Sequence, residues 1–273
     1  MDTSQRTLHA TIVALFPEIV TQACDTSILG RAARTGALRV EGLQLRDYAS
    51  DKHRKVDDTP SGGGPGLVMK IDVVTGALRA AIRQDEATNG PGRRRRIVML
   101  DAGGTRFTQS HARRLAAYDH LVFLCGRYEG IDARVYDYVD ERISIGDFVL
   151  TGGELAAAVV LDATAREVTG VLGNDASREE ESHSSGRLEY RQYTRPNLFE
   201  GRRVPDVLLS GDHARIAMAR ARDGLIRTRD ERPDLLEGSP LTPADEKLLQ
   251  DDRIPNLEPI RAPTTVGDSG EET

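Results

Sequence analysis

Two glycine-bearing stretches constrain the fold of this chain more than any other feature of its sequence. Residues 124–132 and 144–155 each begin as an apolar run, break into a glycine turn and continue into a sequence typical of a helix. In α/β proteins this succession of strand, turn and helix forms the ligand-binding edge, just beyond the carboxyl ends of the strands. Because the two stretches are close in the chain, we expect them to form two walls of one pocket.

The first 170 residues alternate runs typical of strands with runs typical of helices. Apolar or β-branched runs predict strands at residues 7–15, 38–46, 97–100, 120–125 and near Ile143. Helical spacing of apolar residues predicts helices at 71–87, 108–118 and 153–168. We expect Asp101-Ala102-Gly103-Gly104 to end the third strand. The alternation favours an α/β domain built around a parallel sheet.

The composition changes after residue 172, and it divides the chain. Residues 173–187 are polar and acidic, which is typical of a linker. Residues 188–254 are rich in arginine and show helical spacing, so we expect a small α-helical domain there. Residues 255–273 are expected to form an acidic, disordered tail. The resulting boundaries are 1–172, 173–187, 188–254 and 255–273.

Charge and hydropathy limit the classes of protein. The net charge is −6, with 37 basic against 43 acidic residues, and residues 237–273 carry all of it with nine acids and three bases. The rest of the chain is balanced, so a nucleic-acid partner remains open. No apolar run is long enough to span a bilayer, and we expect a cytoplasmic protein with no membrane association. The two cysteines have no metal or disulfide spacing, which favours two buried thiols.

Two further segments each leave two interpretations open. Residues 61–66 contain three consecutive glycines followed by Pro-Gly, but they lack the Gly-Lys-Ser/Thr that a Walker loop requires. They form either a mobile or RNA-contacting loop or an ordinary surface loop. Four consecutive arginines, Arg93–Arg96, indicate either a nucleic-acid contact or a solvated sheet edge, and the second is the more common outcome.

Six segments in order resemble one family. They are residues 51–58 with 62–66, 126–132, 144–155, 170–173, 193–196, and 204–205 with 210–211. Together they are similar to the bacterial tRNA (guanine-N1)-methyltransferases, the TrmD family of the SPOUT superfamily, across roughly residues 7–236.

The resemblance implies a fold, a cofactor and an oligomer. The fold is a SPOUT-type α/β domain whose parallel sheet carries a trefoil knot in its carboxyl half, followed by a small α-helical tRNA-binding domain. The family is homodimeric, with each site shared between subunits, and it uses S-adenosylmethionine. The implied cofactor-binding residues are Leu100, Gly126, Tyr128, Glu129, Ser144, Ile145, Gly146, Asp147, Phe148, Val149, Leu150, Gly152 and Gly153.

The implied reaction is methyl transfer to N1 of the guanosine at tRNA position 37, just 3′ of the anticodon. N1 of guanine carries a proton, so the site needs a base, and it needs a cationic donor near O6 where charge develops. The family pattern assigns these roles to Glu181, where aspartate is usual, and to Arg166, which alternatively forms an i,i+4 ion pair with Asp162. Magnesium is also implied, although no residues of this sequence identify its site.

Two more departures from the family pattern affect the expected cofactor wall. Met99-Leu100-Asp101-Ala102 stands where Tyr-Leu-Ser-Pro is usual, and Phe148 stands where tyrosine is common. Two alternative functions also stay open, and they depend on the linker carboxylate: the first would not require it, and only the glutamate in place of aspartate at position 181 favours the second. One is a SPOUT methyltransferase acting on a ribose hydroxyl or another RNA, and the other is a non-catalytic RNA-binding homologue.

Overall fold

The structure is a computed structural model that describes residues 6–172, 182 and 186–261. The chain divides into two compact units, Met1–Asp175 and Ala176–Thr273. No helix among the described residues is long and apolar enough to cross a membrane.

A five-stranded sheet, parallel throughout, forms the centre of the first unit. The strands of this unit are β1 (Leu8–Ala14), β2 (Leu38–Gln44), β3 (Asp57–Asp58), β4 (Val68–Met69), β5 (Arg95–Arg106), β6 (His120–Cys125) and β7 (Glu141–Ser144). The sheet order is β2-β1-β6-β5-β7, while β3 and β4 pair separately as a short antiparallel ladder. The predicted α/β class and its parallel sheet are confirmed.

Five helices cover the two faces of this sheet. They are α1 (Glu18–Cys24), α2 (Ser27–Thr35), α3 (Ile71–Asn89), α4 (Gln109–Ala116) and α5 (Glu154–Ala165), with 3₁₀ turns at Leu45–Tyr48 and Ala133–Tyr138. Successive strand residues point to opposite faces. Thus Ile12 and Phe123 pack with α1, α2, α4 and α5, whereas Val13 and Leu124 pack with α3. Burial on both faces explains why β1 and β6 are apolar runs.

Strand β5 does not end where the sequence predicts. It continues through Asp101-Ala102-Gly103-Gly104 to Arg106, with a register shift at which Ile143 of β7 faces both Leu100 and Thr105. The intervening residues form a bulge, and glycine suits it because a Cβ on Gly104 would lie 2.6 Å from the Arg142 carbonyl carbon. Pairing with β7, which follows later in the chain, therefore extends the strand.

The second unit combines helices with a small antiparallel sheet. Its elements are β8 (Leu198–Phe199), β9 (Arg202–Arg203), α6 (Asp206–Leu209), α7 (His213–Glu231), α8 (Leu235–Gly238), α9 (Pro243–Gln250) and β10 (Ile260–Arg261). Val207, Ala219, Ile254 and Leu257 form its buried cluster. The β10 pairing with β9 gives regular structure to residues that we expected to be disordered.

Candidate functional site

The two glycine stretches lie side by side where β6 and β7 end. The Gly153 amide donates to the Gly126 carbonyl at 2.9 Å, and Arg127 and Gly152 form an isolated antiparallel bridge. A Cβ on Gly153 would lie 2.9 Å from the Cys125 Cα, so any other residue would push the two loops apart. The expected pair of pocket walls is therefore present as a single hydrogen-bonded unit.

A pocket opens between these loops and residues 99–102 of β5, where the bulge begins. Twelve of the thirteen predicted cofactor residues line it: Leu100, Gly126, Tyr128, Glu129, Ser144, Ile145, Gly146, Phe148, Val149, Leu150, Gly152 and Gly153. Asp147 is exposed and does not line the pocket. The structure brings the other twelve together, and their role in cofactor binding remains a prediction.

An ion pair that the motifs alone did not predict joins one loop to the other. The Arg127 Nε lies 2.9 Å from the Glu154 Oε1, and its guanidinium stacks over the Phe16 ring at 4.5 Å. Glu154 opens α5 and is 1% exposed. Arg127 lies in the first motif and Glu154 in the second. Opposite charges in two motifs that were expected to form one pocket were the signal that could have predicted this pair. The pair fixes the mouth of the pocket.

The second loop begins with a turn that Ser144 and Gly146 form together. The Ser144 hydroxyl donates to the Gly146 carbonyl at 3.0 Å and accepts from the Gly146 amide at 3.2 Å. Gly146 has a φ of +153°, and a Cβ there would lie 2.5 Å from the Phe148 ring. The turn thus depends on glycine, and both Ser144 and Gly146 line the pocket.

The first loop is also held by the end of the glycine-rich segment. The Glu129 amide donates to the Leu67 carbonyl at 3.0 Å, and the Met69 amide donates to the Gly130 carbonyl at 2.9 Å. Gly66 sits against the Glu129 side chain. At the far end, a Cβ on Gly62 or Gly63 would meet no atom within 4 Å. Residues 61–67 therefore border the pocket at one end and project into open space at the other. The RNA-contacting loop and the ordinary surface loop both stay predictions.

Only one of the two predicted catalytic residues lies in the part of the chain that the structure describes. Arg166 caps the end of α5, where its amide donates to the Asp162 carbonyl at 3.2 Å, and it does not line the pocket. Glu181 lies outside the described residues. The described residues thus form the predicted cofactor wall, and Arg166 lies outside it.

The family model described as "tRNA (Guanine-1)-methyltransferase TrmD" matches residues 8–238. This chain belongs to that family. A protein of Deinococcus radiodurans named tRNA (guanine-N(1)-)-methyltransferase is 50% identical over 242 residues, covering 89% of this chain and 85% of the relative. Proteins of the same name from Symbiobacterium thermophilum and Syntrophotalea carbinolica are each 47% identical, over 88% of this chain and 96% and 94% of their own. The predicted resemblance is confirmed.

One departure from the family pattern has a local structural explanation. Asp101, in the bulge of β5, lines the pocket and accepts from the Arg142 guanidinium at 3.0 Å. The Arg142 guanidinium in turn stacks over the Tyr136 ring at 4.4 Å. The Asp101 carboxylate therefore enters the wall already paired with a cation of the neighbouring strand.

Both cysteines are buried, as the sequence predicts. Burial raises the pKa of the Cys24 thiol to about 11 and raises the pKa of the Cys125 thiol well above its ordinary value. A thiolate is the nucleophilic form, so neither residue is suited to covalent catalysis near neutral pH.

A buried cluster of titratable groups lies at the opposite edge of the sheet. His9 and His120 begin β1 and β6, and each points its Nδ1 at one oxygen of Asp85, at 2.9 and 3.2 Å. Burial and then the charge of His9 lower the pKa of His120 to about 4. The two rings are stacked at 4.5 Å and nearly parallel, so their in-plane lone pairs cannot converge on one metal ion. This is a buried hydrogen-bond network.

The four consecutive arginines are each paired with a carboxylate. Arg93 contacts Asp85, and the other three pairs are Arg94 with Asp119 at 3.5 Å, Arg95 with Glu86 at 3.0 Å and Arg96 with Glu141 at 2.9 Å. This arrangement supports the solvated sheet edge over a nucleic-acid contact.

Proposed function

We propose that this chain transfers a methyl group from S-adenosylmethionine to N1 of the guanosine at tRNA position 37. The observation that carries the proposal is the family match across residues 8–238, joined to a pocket at the carboxyl edge of the sheet. Family relatives are named for methylation of guanine N1 in tRNA. A cytoplasmic location follows from the proposed tRNA substrate.

The pocket fits the proposed cofactor in chemistry. Gly126, Gly152 and Gly153 bring backbone close to any ligand, and backbone groups of the two glycine loops could read an adenine edge. The Glu129 carboxylate lines the same pocket and would favour a positively charged ligand. When bound, S-adenosylmethionine supplies an electrophilic methyl group beside a sulfonium.

Two side chains of this chain would remove the N1 proton of the guanine and stabilise the negative charge that develops on it. We assign the Glu181 carboxylate as the base that takes the N1 proton, which makes N1 nucleophilic. The Arg166 guanidinium would donate to O6, where negative charge develops as that proton leaves. Glutamate is one methylene longer than the usual aspartate, so the linker backbone has to place it correctly.

We further propose that the enzyme is a homodimer with shared sites. Phe148 and Val149 of the second loop and Leu155 and Val159 of α5 are 55%, 89%, 55% and 51% exposed. Exposed apolar side chains beside a functional pocket are typical of a protein interface. In the proposed homodimer, the linker carboxylate of one chain would act in the cofactor pocket of its partner.

Three finer parts of the proposal rest on family membership. These are a trefoil knot in the carboxyl half of the 1–172 methyltransferase domain, a 188–254 tRNA-binding helical domain after the 173–187 linker, and a requirement for magnesium. We assign no residue to magnesium. It prefers oxygen ligands, and the one His/Cys/Asp/Glu cluster among the described residues has two imidazoles.

Methyl incorporation from labelled S-adenosylmethionine tests the proposed activity. Two tRNA transcripts are compared, one with guanosine and one with adenosine at position 37. We expect incorporation only into the first. Incorporation into neither transcript, with the cofactor still bound, would support the non-catalytic homologue instead.

A further inference from the structure

A second pocket lies within the C-terminal unit and carries an unusual charge pattern. It is formed by residues 190–195, Asn197 and Val204, by the end of α6, and by Arg220 of α7. Three arginines line it, and none of its lining residues is acidic. It is therefore a positively charged concavity in a chain whose net charge is −6.

Two of these arginines have no anionic partner among the described residues. Arg195 is exposed, and no hydrogen bond or ion pair joins it to a described residue. The Arg220 guanidinium stacks over the Tyr190 ring at 4.6 Å, and its buried Nε has no described hydrogen-bond partner. Their charges are thus available to a ligand.

Most other arginines of the same unit are already neutralised. The arginines paired with carboxylates are Arg187, Arg191, Arg203, Arg222, Arg227, Arg229, Arg232 and Arg253. Arg202 and Arg215 also lack a described carboxylate partner, but they do not line the pocket. The concentration of unpaired guanidinium groups in one concavity is what distinguishes it.

Hydrogen bonds to neighbouring segments hold the backbone that forms this pocket. The Arg191 amide donates to the buried Asp223 carboxylate at 2.7 Å, and the Tyr193 hydroxyl donates to the Leu257 carbonyl. The Val204 amide donates to the Asn197 carbonyl at 2.9 Å. These bonds fix the backbone on both sides of Arg195, so little ordering is needed when a ligand binds.

We propose that this pocket is a phosphate-binding subsite for the RNA backbone. A guanidinium presents a planar fork of donors that matches two phosphate oxygens, and two such groups suit one phosphodiester. Gln192, Thr194 and Asn197 line the pocket as neutral hydrogen-bonding groups. The proposal rests on the proposed function in taking tRNA as the polyanion, and it assigns the contact to specific residues outside the methyl-transfer pocket.

Binding of unmodified tRNA over a series of salt concentrations tests the subsite. The variants are Arg195→Gln and Arg220→Gln, and Arg253→Gln is the matched control because its guanidinium is paired with Asp251 at 2.7 Å. We expect each pocket variant to raise the Kd by about tenfold and to reduce the slope of log K against log salt by about one. The control should keep the wild-type Kd and slope.

Further measurements separate a binding role from general damage. Affinity for S-adenosylmethionine and the melting temperature should stay at wild-type values in Arg195→Gln, since no hydrogen bond or ion pair joins this side chain to a described residue. The KM for tRNA should rise with kcat retained, and Arg195→Lys should recover part of the affinity because it keeps the charge.

Two results would overturn the subsite. One is an unchanged Kd and salt slope in both pocket variants of an enzyme that methylates tRNA, and the other is a wild-type protein that does not bind tRNA. By contrast, a wild type that binds tRNA through this pocket but methylates none would contradict the proposed reaction and leave the subsite standing.

Discussion

Glu181 is the residue on which the proposed proton transfer depends. We predict that Glu181→Ala lowers kcat by at least about a hundredfold, the usual contribution of a positioned base, while the Kd for S-adenosylmethionine stays unchanged. Glu181→Asp restores the usual family residue and should keep or raise the rate. Single-turnover methylation measures both.

The neighbouring carboxylate supplies the control for this prediction. Glu180→Ala has the same change of charge one residue away, and we expect its rate to stay close to wild type. Equal losses in Glu180→Ala and Glu181→Ala would mean that overall linker charge matters, and that no single carboxylate acts as the base.

His120 gives the stability of the fold a specific dependence on pH. Its folded pKa of about 4 lies below the ordinary 6.5, so the unfolded chain takes up a proton at higher pH than the folded chain does. The stabilisation is complete above pH 6.5 and is lost as pH falls from about 6.5 to about 4, by up to about 3 kcal/mol. Urea unfolding at pH 7 and pH 5 measures this loss.

Replacement of the imidazole should remove that part of the pH dependence. We expect His120→Gln to be less stable at pH 7 but to lose less stability between pH 7 and pH 5. His53→Gln is the control, because His53 is exposed and should keep the wild-type slope. An identical slope in all three proteins would contradict a neutral buried His120.

At the scale of elements, the contact between the two glycine loops determines the pocket. A Cβ on Gly153 would collide with the backbone of β6 at Cys125. Gly153→Val should therefore lower the melting temperature and weaken S-adenosylmethionine binding by at least about tenfold, since overpacking costs on the order of 1–3 kcal/mol. Calorimetric titration measures the affinity.

A helical glycine provides the matched control for this steric argument. Gly76 lies inside α3, where a Cβ would meet only the Tyr48 side chain at an ordinary 3.8 Å. Gly76→Ala should leave cofactor affinity unchanged and stabilise the fold by about 0.5–1 kcal/mol through helix propensity. Wild-type affinity in Gly153→Val would show that the loops do not need their close approach.

Local sequence predicted those elements whose burial is continuous along the chain. β1 and β6 are buried at every position, so their composition alone identifies them. The continuation of β5 past Leu100 and the Arg127–Glu154 ion pair were missed. Both depend on partners tens of residues away, on β7 and α5, and spacing alone does not reveal such pairing.

At the scale of the whole molecule, the proposed shared site predicts complementation between two impaired variants, assayed at an S-adenosylmethionine concentration too low to saturate Gly153→Val. Gly153→Val impairs the cofactor wall and Glu181→Ala removes the base. If each site takes its wall from one subunit and its base from the other, a mixed dimer has one intact site. Random exchange of equal amounts should then restore about a quarter of the wild-type sites.

The measurement is methyl transfer by the mixture after unfolding and refolding the two variants together. The same two proteins refolded separately and then assayed together serve as the control and should show only the residual activity of the two variants if subunits do not exchange. Absence of recovery, in a mixture shown by differential tagging to contain mixed dimers, would place both groups of a site in one subunit.

The position and atom of the methyl group test the central claim most directly. After reaction with a guanosine-37 tRNA, the RNA is digested and its nucleosides and fragments are identified by mass spectrometry. The proposed function predicts 1-methylguanosine at position 37. A ribose-methylated nucleoside, or methylation at another position, would contradict it and favour a different RNA methyltransferase activity of the same fold.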